Sequence, residues 1–168
     1  MKSNVRNMVL CSLFASLMAL CGWITLPVPP VGVTMQTFGL LLTLGLLGGK
    51  RGSAVAAVYL LLGIAGLPVF SGFRGGISAL LDATGGFLWG FLAGALVYWA
   101  AQRLGKLPAM VLCQLTCYVC GCLWFSHWAG SAGFWAAAAT CVAPFLIPDG
   151  IKLWLAWRLS ARLQKHIG

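Results

Sequence analysis

The chain has 168 residues, of which 61% are hydrophobic and only 8% are charged, and its formal net charge is +9 at pH 7. Soluble domains carry about a quarter charged residues, so this composition, with a mean hydropathy of +0.95, excludes an ordinary soluble protein and predicts an integral membrane protein. At about 20 residues per crossing, the length allows about six helices and no separate soluble domain, so we expect residues 1–168 to form one membrane domain.

Six apolar stretches predict an all-α, polytopic fold with six transmembrane helices. They cover residues 7–26, 31–49, 53–69, 84–101, 108–128 and 133–160. The first follows a basic start, as in a signal peptide, but no small-residue cleavage site comes after it, so we expect a retained span. Pro144 and Pro148 predict a break in the last stretch, with a final helix from about Asp149 to Gln164.

Basic residues predict the orientation, because they occur at alternate ends of these stretches. By the positive-inside rule, that side is the cytoplasm, so both termini are expected to be cytoplasmic in the plasma membrane. The positive charge then reflects topology within the lipid bilayer and predicts no nucleic-acid partner. Arg74 alone is assigned to an external loop, as a solvated surface residue or a docking point for an anionic ligand. The cytoplasmic set is Lys2, Arg6, Lys50, Arg51, Arg103, Lys106, Arg158, Arg162 and Lys165.

Asp149 and Lys152 place two charges inside the last apolar stretch. Their spacing of three residues puts both on one face of a helix. A charge in hydrocarbon is costly unless it is compensated, which makes the pair a candidate functional site. The alternative is a structural ion pair that only neutralises itself. The prolines just before the pair favour a segment that lines a ligand site.

The sequence lacks the residues that common enzymes need. Around 48–50, the closest approach to a phosphate-binding loop has neither the first glycine nor the final Ser or Thr. Asp82 and Asp149 are the only carboxylate side chains, and Asp82 belongs to a Gly-rich loop where we expect it or Thr84 to cap the fourth helix. We therefore predict that the chain is not an enzyme and has no cofactor.

Three cysteines recur on the fifth apolar stretch at spacings of four and three residues. Cys113, Cys117 and Cys120 would share one stripe of a helix, where helical geometry prevents disulfides among them. A thiolate metal site is the alternative, but His127 is the only nearby imidazole. We predict that these cysteines pack as small buried hydrophobic residues and bind no metal.

Five short segments, spread in order along nearly the whole chain, form a specific combination. The segments are Ala15 with Ala19, Thr34-Met35-Gln36-Thr37-Phe38, Gly66-Leu67-Pro68-Val69-Phe70, Thr84-Gly85-Gly86-Phe87-Leu88 ahead of Gly90-Phe91, and Pro144-Phe145 leading to Asp149 and Lys152. In this combination the sequence resembles the BioY family, the biotin-binding membrane component of energy-coupling factor (ECF) transporters. One departure is Asp82-Ala83, where the family usually has Gly-Pro, so the lid into the fourth helix is expected to differ in shape.

The resemblance implies a six-helix capture subunit with an outward-facing pocket for biotin and high-affinity uptake across the plasma membrane. A membrane coupling subunit and two cytoplasmic ATPases would supply the energy. An Asp and a Lys or Gln suit biotin's ureido ring, which offers two N–H donors and one carbonyl acceptor. Residues implied to bind substrate are Thr34, Gln36, Gly66 through Arg74 with Phe70, Thr84, Asp149 and Lys152, while Ala15 and Ala19 would dock on the partner.

Other interpretations of the sequence stay open. Arg74 would either take the biotin carboxylate or form an ion pair with Asp82 in the lid. A related capture subunit for a different vitamin would keep the architecture and change the pocket. A homo-oligomeric biotin carrier would work without ATPases, and a membrane structural or assembly factor is a third class.

Overall fold

The computed structural model describes residues 2–26, 32–128 and 133–167, so Val31 at the start of the second predicted span lies outside it. Its elements are α1 Lys2–Trp23, β1 Thr25–Leu26, β2 Val33–Thr34, α2 Gln36–Ile64, α3 Ile77–Leu81, α4 Gly85–Ala101, α5 Lys106–Trp128, α6 Phe134–Cys141 and α7 Leu146–Ile167. The two strands pair antiparallel, with Thr25 opposite Thr34. Because the rest of the regular structure described is helical, the predicted all-α fold is confirmed.

Three helical stretches are long and apolar enough to cross a membrane. They are Val5–Trp23, Lys106–Trp128 and Phe134–Lys165, the last containing the turn that separates α6 from α7. With 17 residues, α4 lies at the lower limit of about 17–25 residues for a crossing. These stretches identify a membrane protein, and six crossings remain a prediction.

Helix α2 is a helical hairpin that contains most of the second and third predicted spans. Gly48 has φ 77° and ψ 171°, outside the helical region, and glycine adopts this conformation without a side-chain clash. A Cβ on Gly52 would lie 3.1 Å from the Cα of Leu44, and the side chains of Gln36 and Tyr59 are hydrogen-bonded. Since both pairs are almost symmetric about Gly48, residues 36–47 and 49–64 run antiparallel.

Glycines of α4 allow a close approach to the cysteine stripe of α5. A Cβ on Gly90 would lie 3.0 Å from the Cα of Cys117, and one on Gly94 would lie 2.8 Å from the carbonyl oxygen of Cys113. Both cysteines are buried, as predicted, whereas Cys120 of the same stripe is only half-buried. The Cys117 thiol donates to the Gly90 carbonyl over 3.2 Å. Because the residues at this contact are small on both helices, the two backbones can approach closely, as is common between membrane helices.

The last predicted stretch is broken once rather than at both prolines. A short 3-10 turn, Ala143–Phe145, contains Pro144 and ends the α6 segment. Pro148 lies inside the first turn of α7, so the prediction of a helix start at Asp149 is wrong by three residues. Proline is tolerated in a first turn because its missing N–H has no helical acceptor there. The break leaves Asp149 in the first turn of a new helix.

Ala15 and Ala19, which are predicted to dock on a partner, do not lie at the surface of this structure. Both are buried, at 2% and 7% exposure, in a hydrophobic core formed by side chains from α1, α2, α4, α5 and α7. The opposite face of α1 is exposed and contains another pair of small residues, Ser12 and Ser16. Their hydroxyls donate to carbonyls one turn earlier in the same helix, so this face has satisfied polar groups.

Candidate functional site

A cavity of about 300 Å³ lies where strands β1 and β2, the start of α2, the 70–74 loop and helices α4 to α7 meet. This volume is at the lower end of the range of about 300–1,000 Å³ for small-molecule sites. Its wall is mainly apolar, with a cluster of polar groups around Asp149 on one side and with Arg74 and Thr84 at the mouth. The lining residues are Thr25, Gly32, Thr34, Gln36, Thr37, Phe70, Ser71, Gly72, Arg74, Thr84, Phe87, Leu88, Phe91, Gln114, Cys117, Tyr118, Cys141, Phe145, Asp149 and Lys152.

Asp149 is the centre of the polar side of the cavity. Its Oδ1 accepts from the Lys152 ammonium at 2.6 Å and from the Thr37 hydroxyl at 3.4 Å. Its Oδ2 accepts from Gln114 Nε2 at 3.1 Å and from the Tyr118 hydroxyl at 2.7 Å. Each side chain of the ion pair is 7% exposed. Four donors from three helices therefore compensate a carboxylate that would be costly if it were buried alone.

Lys152 has donor capacity that the described residues do not use up. Its Nζ donates to Asp149 and, over 2.8 Å, to the carbonyl oxygen of Thr34. An ammonium has three N–H donors, and no third partner occurs among the residues that the structure describes. Since Lys152 lines the cavity, the remaining N–H is available to an acceptor on a ligand.

Gln36 links the two halves of α2 to the loop that covers the cavity. Its Nε2 donates to the Tyr59 hydroxyl at 2.6 Å, which donates in turn to the Val69 carbonyl at 2.8 Å. The Thr34 hydroxyl donates to Gln36 Oε1 at 3.3 Å. This chain of hydrogen bonds holds the two halves of α2 and the start of the loop together. Gln36 therefore lines the cavity and also fixes its wall.

Arg74 belongs to an ion pair at the mouth of the cavity. Its Nη1 donates to Asp82 Oδ2 at 2.5 Å, and its Nη2 donates to the Thr84 hydroxyl at 3.2 Å. The Arg74 and Asp82 side chains are 44% and 40% exposed. The interpretation of a lid ion pair is thus the one that the structure supports. The predicted cap is wrong, because Thr84 occupies the N-cap position of α4 without a side-chain cap bond and Asp82 Oδ1 accepts from the Ala83 N–H.

Phe70 closes the cavity from the loop side. Its buried ring packs edge-to-face on Tyr59, with the centroids 5.6 Å apart, and covers Gly63, where a Cβ would collide with the ring. Gly66, in contrast, does not line the cavity. It has φ 96° in the turn that ends α2 and donates to the Gly63 carbonyl. Leu67, Pro68, Val69 and Phe73 of the predicted 66–74 stretch do not line it either. Phe70, Ser71, Gly72, Arg74 and all the other residues predicted to bind substrate do line this cavity.

Gln114 and Tyr118 are site residues that the sequence analysis missed. Their spacing of four residues puts them on one face of α5, on either side of Cys117, which also lines the cavity. A lone Gln in an apolar helix, followed one turn later by a Tyr, was the available signal. Thr37 was recognised only as part of a motif, and its contact with Asp149 adds a donor from α2.

The BioY family model matches residues 1–168 of this chain. The chain is 42% identical to "Biotin transporter BioY" of Thermotoga maritima over 93 residues, which is 55% of each chain. It is 31% identical to "Probable biotin transporter BioY" of Pyrococcus horikoshii over 161 residues, which is 96% of this chain and 98% of the relative. The alignment with the second relative therefore extends over almost the full length of both.

A solved structure has the same fold. It is described as the S-component for biotin from an ECF-type ABC transporter, and it superposes with a TM-score of 0.89 over 98% of this chain and 93% of its own. The sequence identity is 22%. At this identity the likeness establishes the fold alone.

Proposed function

The chain belongs to the BioY family, and from this premise we propose that it binds biotin and serves its uptake as the substrate-specific subunit of an ECF-type transporter. The observation that carries the proposal is the buried Asp149–Lys152 pair on the polar side of a mainly apolar cavity. Biotin has the matching distribution of groups, since a polar ureido ring stands at one end of an apolar thiophane and valeryl chain.

The ureido ring would bind at the ion pair. Its carbonyl oxygen would accept the remaining N–H of Lys152, and its N–H groups would donate to Asp149. The 3.4 Å contact from Thr37 is the longest of the four hydrogen bonds that Asp149 accepts, so it is the one that a ligand would displace at least cost. Charge-assisted hydrogen bonds of this kind are stronger than neutral ones, and the burial of the ion pair strengthens them further.

The apolar part of biotin would lie against the aromatic wall. Phe87, Phe91 and Phe145 line the cavity from α4 and from the turn before α7, and Phe70 covers it. Burial of the thiophane ring and valeryl chain in such a wall contributes about 25 cal/mol per Å² of apolar surface removed from water. The walls would therefore supply affinity, and the ion pair would supply selectivity for a ureido group.

The proposal includes the topology and the partners. We assign six crossings, with α2 contributing two, and place both termini on the cytoplasmic side of the plasma membrane by the positive-inside rule. Since the sequence has no phosphate-binding loop, energy for uptake would come from two ATPases through a membrane coupling subunit. The chain itself would only capture and release the vitamin.

Binding measurements with a panel of vitamins test the proposed substrate. Purified protein should bind labelled biotin, and unlabelled biotin should displace it while thiamine, riboflavin and pantothenate should not. Binding of another vitamin instead would indicate a related capture subunit with a changed pocket. Biotin uptake at an equal rate with and without the coupling subunit and ATPases would favour a carrier that acts alone.

Arg74→Ala should lower the affinities for biotin and for its uncharged amide by the same factor, about three- to fivefold, because Arg74 is neutralised by Asp82 and its main role is to hold the lid. Competition binding with biotin and biotinamide on the wild type and the variant measures both factors. Asp82→Asn is the matched control, since it breaks the same ion pair and leaves the guanidinium in place. A loss on Arg74→Ala that is confined to biotin would mean that Arg74 reads the carboxylate.

A further inference from the structure

A basic groove lies at the end of α7, far along the helix from Asp149. It is lined by Trp157, Arg158, Ala161, Arg162 and Lys165. Arg158 and Arg162 are one helical turn apart, and Trp157, Ala161 and Lys165 form the neighbouring row at the same spacing. All but the half-buried Trp157 are exposed. The small side chain of Ala161 leaves room for a ligand group between the three cations.

The groove holds one of its cations against aromatic rings. The guanidinium carbon of Arg158 lies 5.4 Å from the ring centroid of Trp154 and 6.0 Å from that of Trp157. These distances lie within the range of cation–π interaction. A guanidinium that is already held in place loses less conformational freedom when it binds an anion.

The chain has no acidic side chain left to neutralise this groove. It contains two acidic residues in all. Asp82 is paired with Arg74 at 2.5 Å, and Asp149 is paired with Lys152 inside the cavity at 2.6 Å. Neither aspartate is therefore left to pair with the three cations of the groove, which remain open to an anion from outside the chain.

The groove continues into a surface that suits lipid. On the preceding turns of α7, the exposed side chains are apolar or aromatic, with Ile151 at 57%, Trp154 at 52% and Leu155 at 37% exposure. Tryptophan is enriched where the hydrocarbon of a membrane meets its headgroups. An acyl chain along this surface would place its phosphate at the groove.

We infer that the groove binds the phosphate of an anionic phospholipid, whose acyl chains lie along the exposed apolar turns of α7. Arginine pairs with phosphate through two parallel hydrogen bonds, and Arg158 and Arg162 present two such groups on adjacent turns. Clusters of Lys and Arg at the end of a membrane helix attract anionic headgroups in general. The inference does not depend on which vitamin occupies the cavity.

Native mass spectrometry of the detergent-purified protein, titrated with phosphatidylglycerol or phosphatidylcholine, tests this site. The wild type should prefer phosphatidylglycerol about tenfold or more, and the triple variant Arg158→Gln, Arg162→Gln, Lys165→Gln should lose that preference. The matched control, Lys50→Gln, Arg51→Gln, Arg103→Gln, removes the same charge from the residues predicted to lie on the same side and should keep it within about threefold. Equal thermal unfolding midpoints would show that all three proteins are folded.

Three outcomes would overturn the inference. Equal loss in both variants would mean that bulk charge, and not the groove, attracts the lipid. Binding of glycerol phosphate as tight as that of phosphatidylglycerol would make the groove a site for soluble phosphates. Unchanged lipid preference in the groove variant, with loss of its complex with the coupling subunit and ATPases, would assign the groove to an acidic protein surface.

Discussion

Asp149→Asn and Lys152→Ala should each weaken biotin binding by about 2–5 kcal/mol, because either change leaves the other member of the pair buried without its counter-charge. This corresponds to a loss of about 30- to 5,000-fold in affinity. The pair is 7% exposed on each side and is joined at 2.6 Å, so solvent cannot take over the lost interaction. Equilibrium binding of labelled biotin to purified variants measures the effect.

A loss of binding must be separated from a loss of fold, since Asp149 also accepts from α2 and α5. The double variant Asp149→Asn, Lys152→Met removes both charges at similar volume, which is often tolerated in a protein interior. It should fold and still fail to bind biotin. Ser160→Ala, on the same helix outside the cavity, is the matched control and should bind normally. Near-wild-type affinity in a folded double variant would make the pair purely structural.

Much of the fold is predictable because hydropathy and basic residues are local signals. Lys50 and Arg51 separate two apolar stretches, and the structure places them beside Gly48, where the two halves of α2 reverse direction. The start of α7 at Leu146, three residues earlier than expected, was harder to predict from the sequence. Proline in a first turn and proline at a break have the same sequence signature, and only the backbone distinguishes them.

The candidate site was predictable only in part, because it is assembled from distant segments. Asp149 and Lys152 are evident from their charge in an apolar stretch. Gln114 and Tyr118 are 35 and 31 residues from Asp149 in the chain, and their role depends on how α5 packs against α7. No periodicity along a single helix contains that information. A buried carboxylate nevertheless demands donors, so isolated polar residues on other spans are the ones to search.

The two pairs of small residues on α1 illustrate a different limit. Ala15 with Ala19 and Ser12 with Ser16 have the same spacing, and either could allow close helix approach. The two pairs differ in which one packs into the hydrophobic core of the folded chain. Because Ala15 and Ala19 are buried there, the exposed face of α1 carries the serines, and we expect a partner helix to approach that face.

The double variant Ser12→Trp, Ser16→Trp should therefore lower uptake by the complete transporter about tenfold or more while biotin affinity stays within about threefold, because two indole rings prevent a partner helix from approaching this face. Among the residues that the structure describes, the serine hydroxyls bond only to carbonyls of their own helix, so their loss removes no hydrogen bond between helices. Uptake of labelled biotin into cells, compared with binding to the purified protein, separates the two effects.

Ala15→Trp and Ala19→Trp are the matched controls, because they add the same side chain one helical face away. There the ring must enter a packed core, and overpacking of this size destabilises by about 1–3 kcal/mol or more. These variants should lose thermal stability and biotin binding together. Wild-type uptake by the serine variant would contradict docking of a partner at Ser12 and Ser16, since a face that tolerates two indole rings contacts only lipid. The carrier that acts without ATPases would then account better for transport.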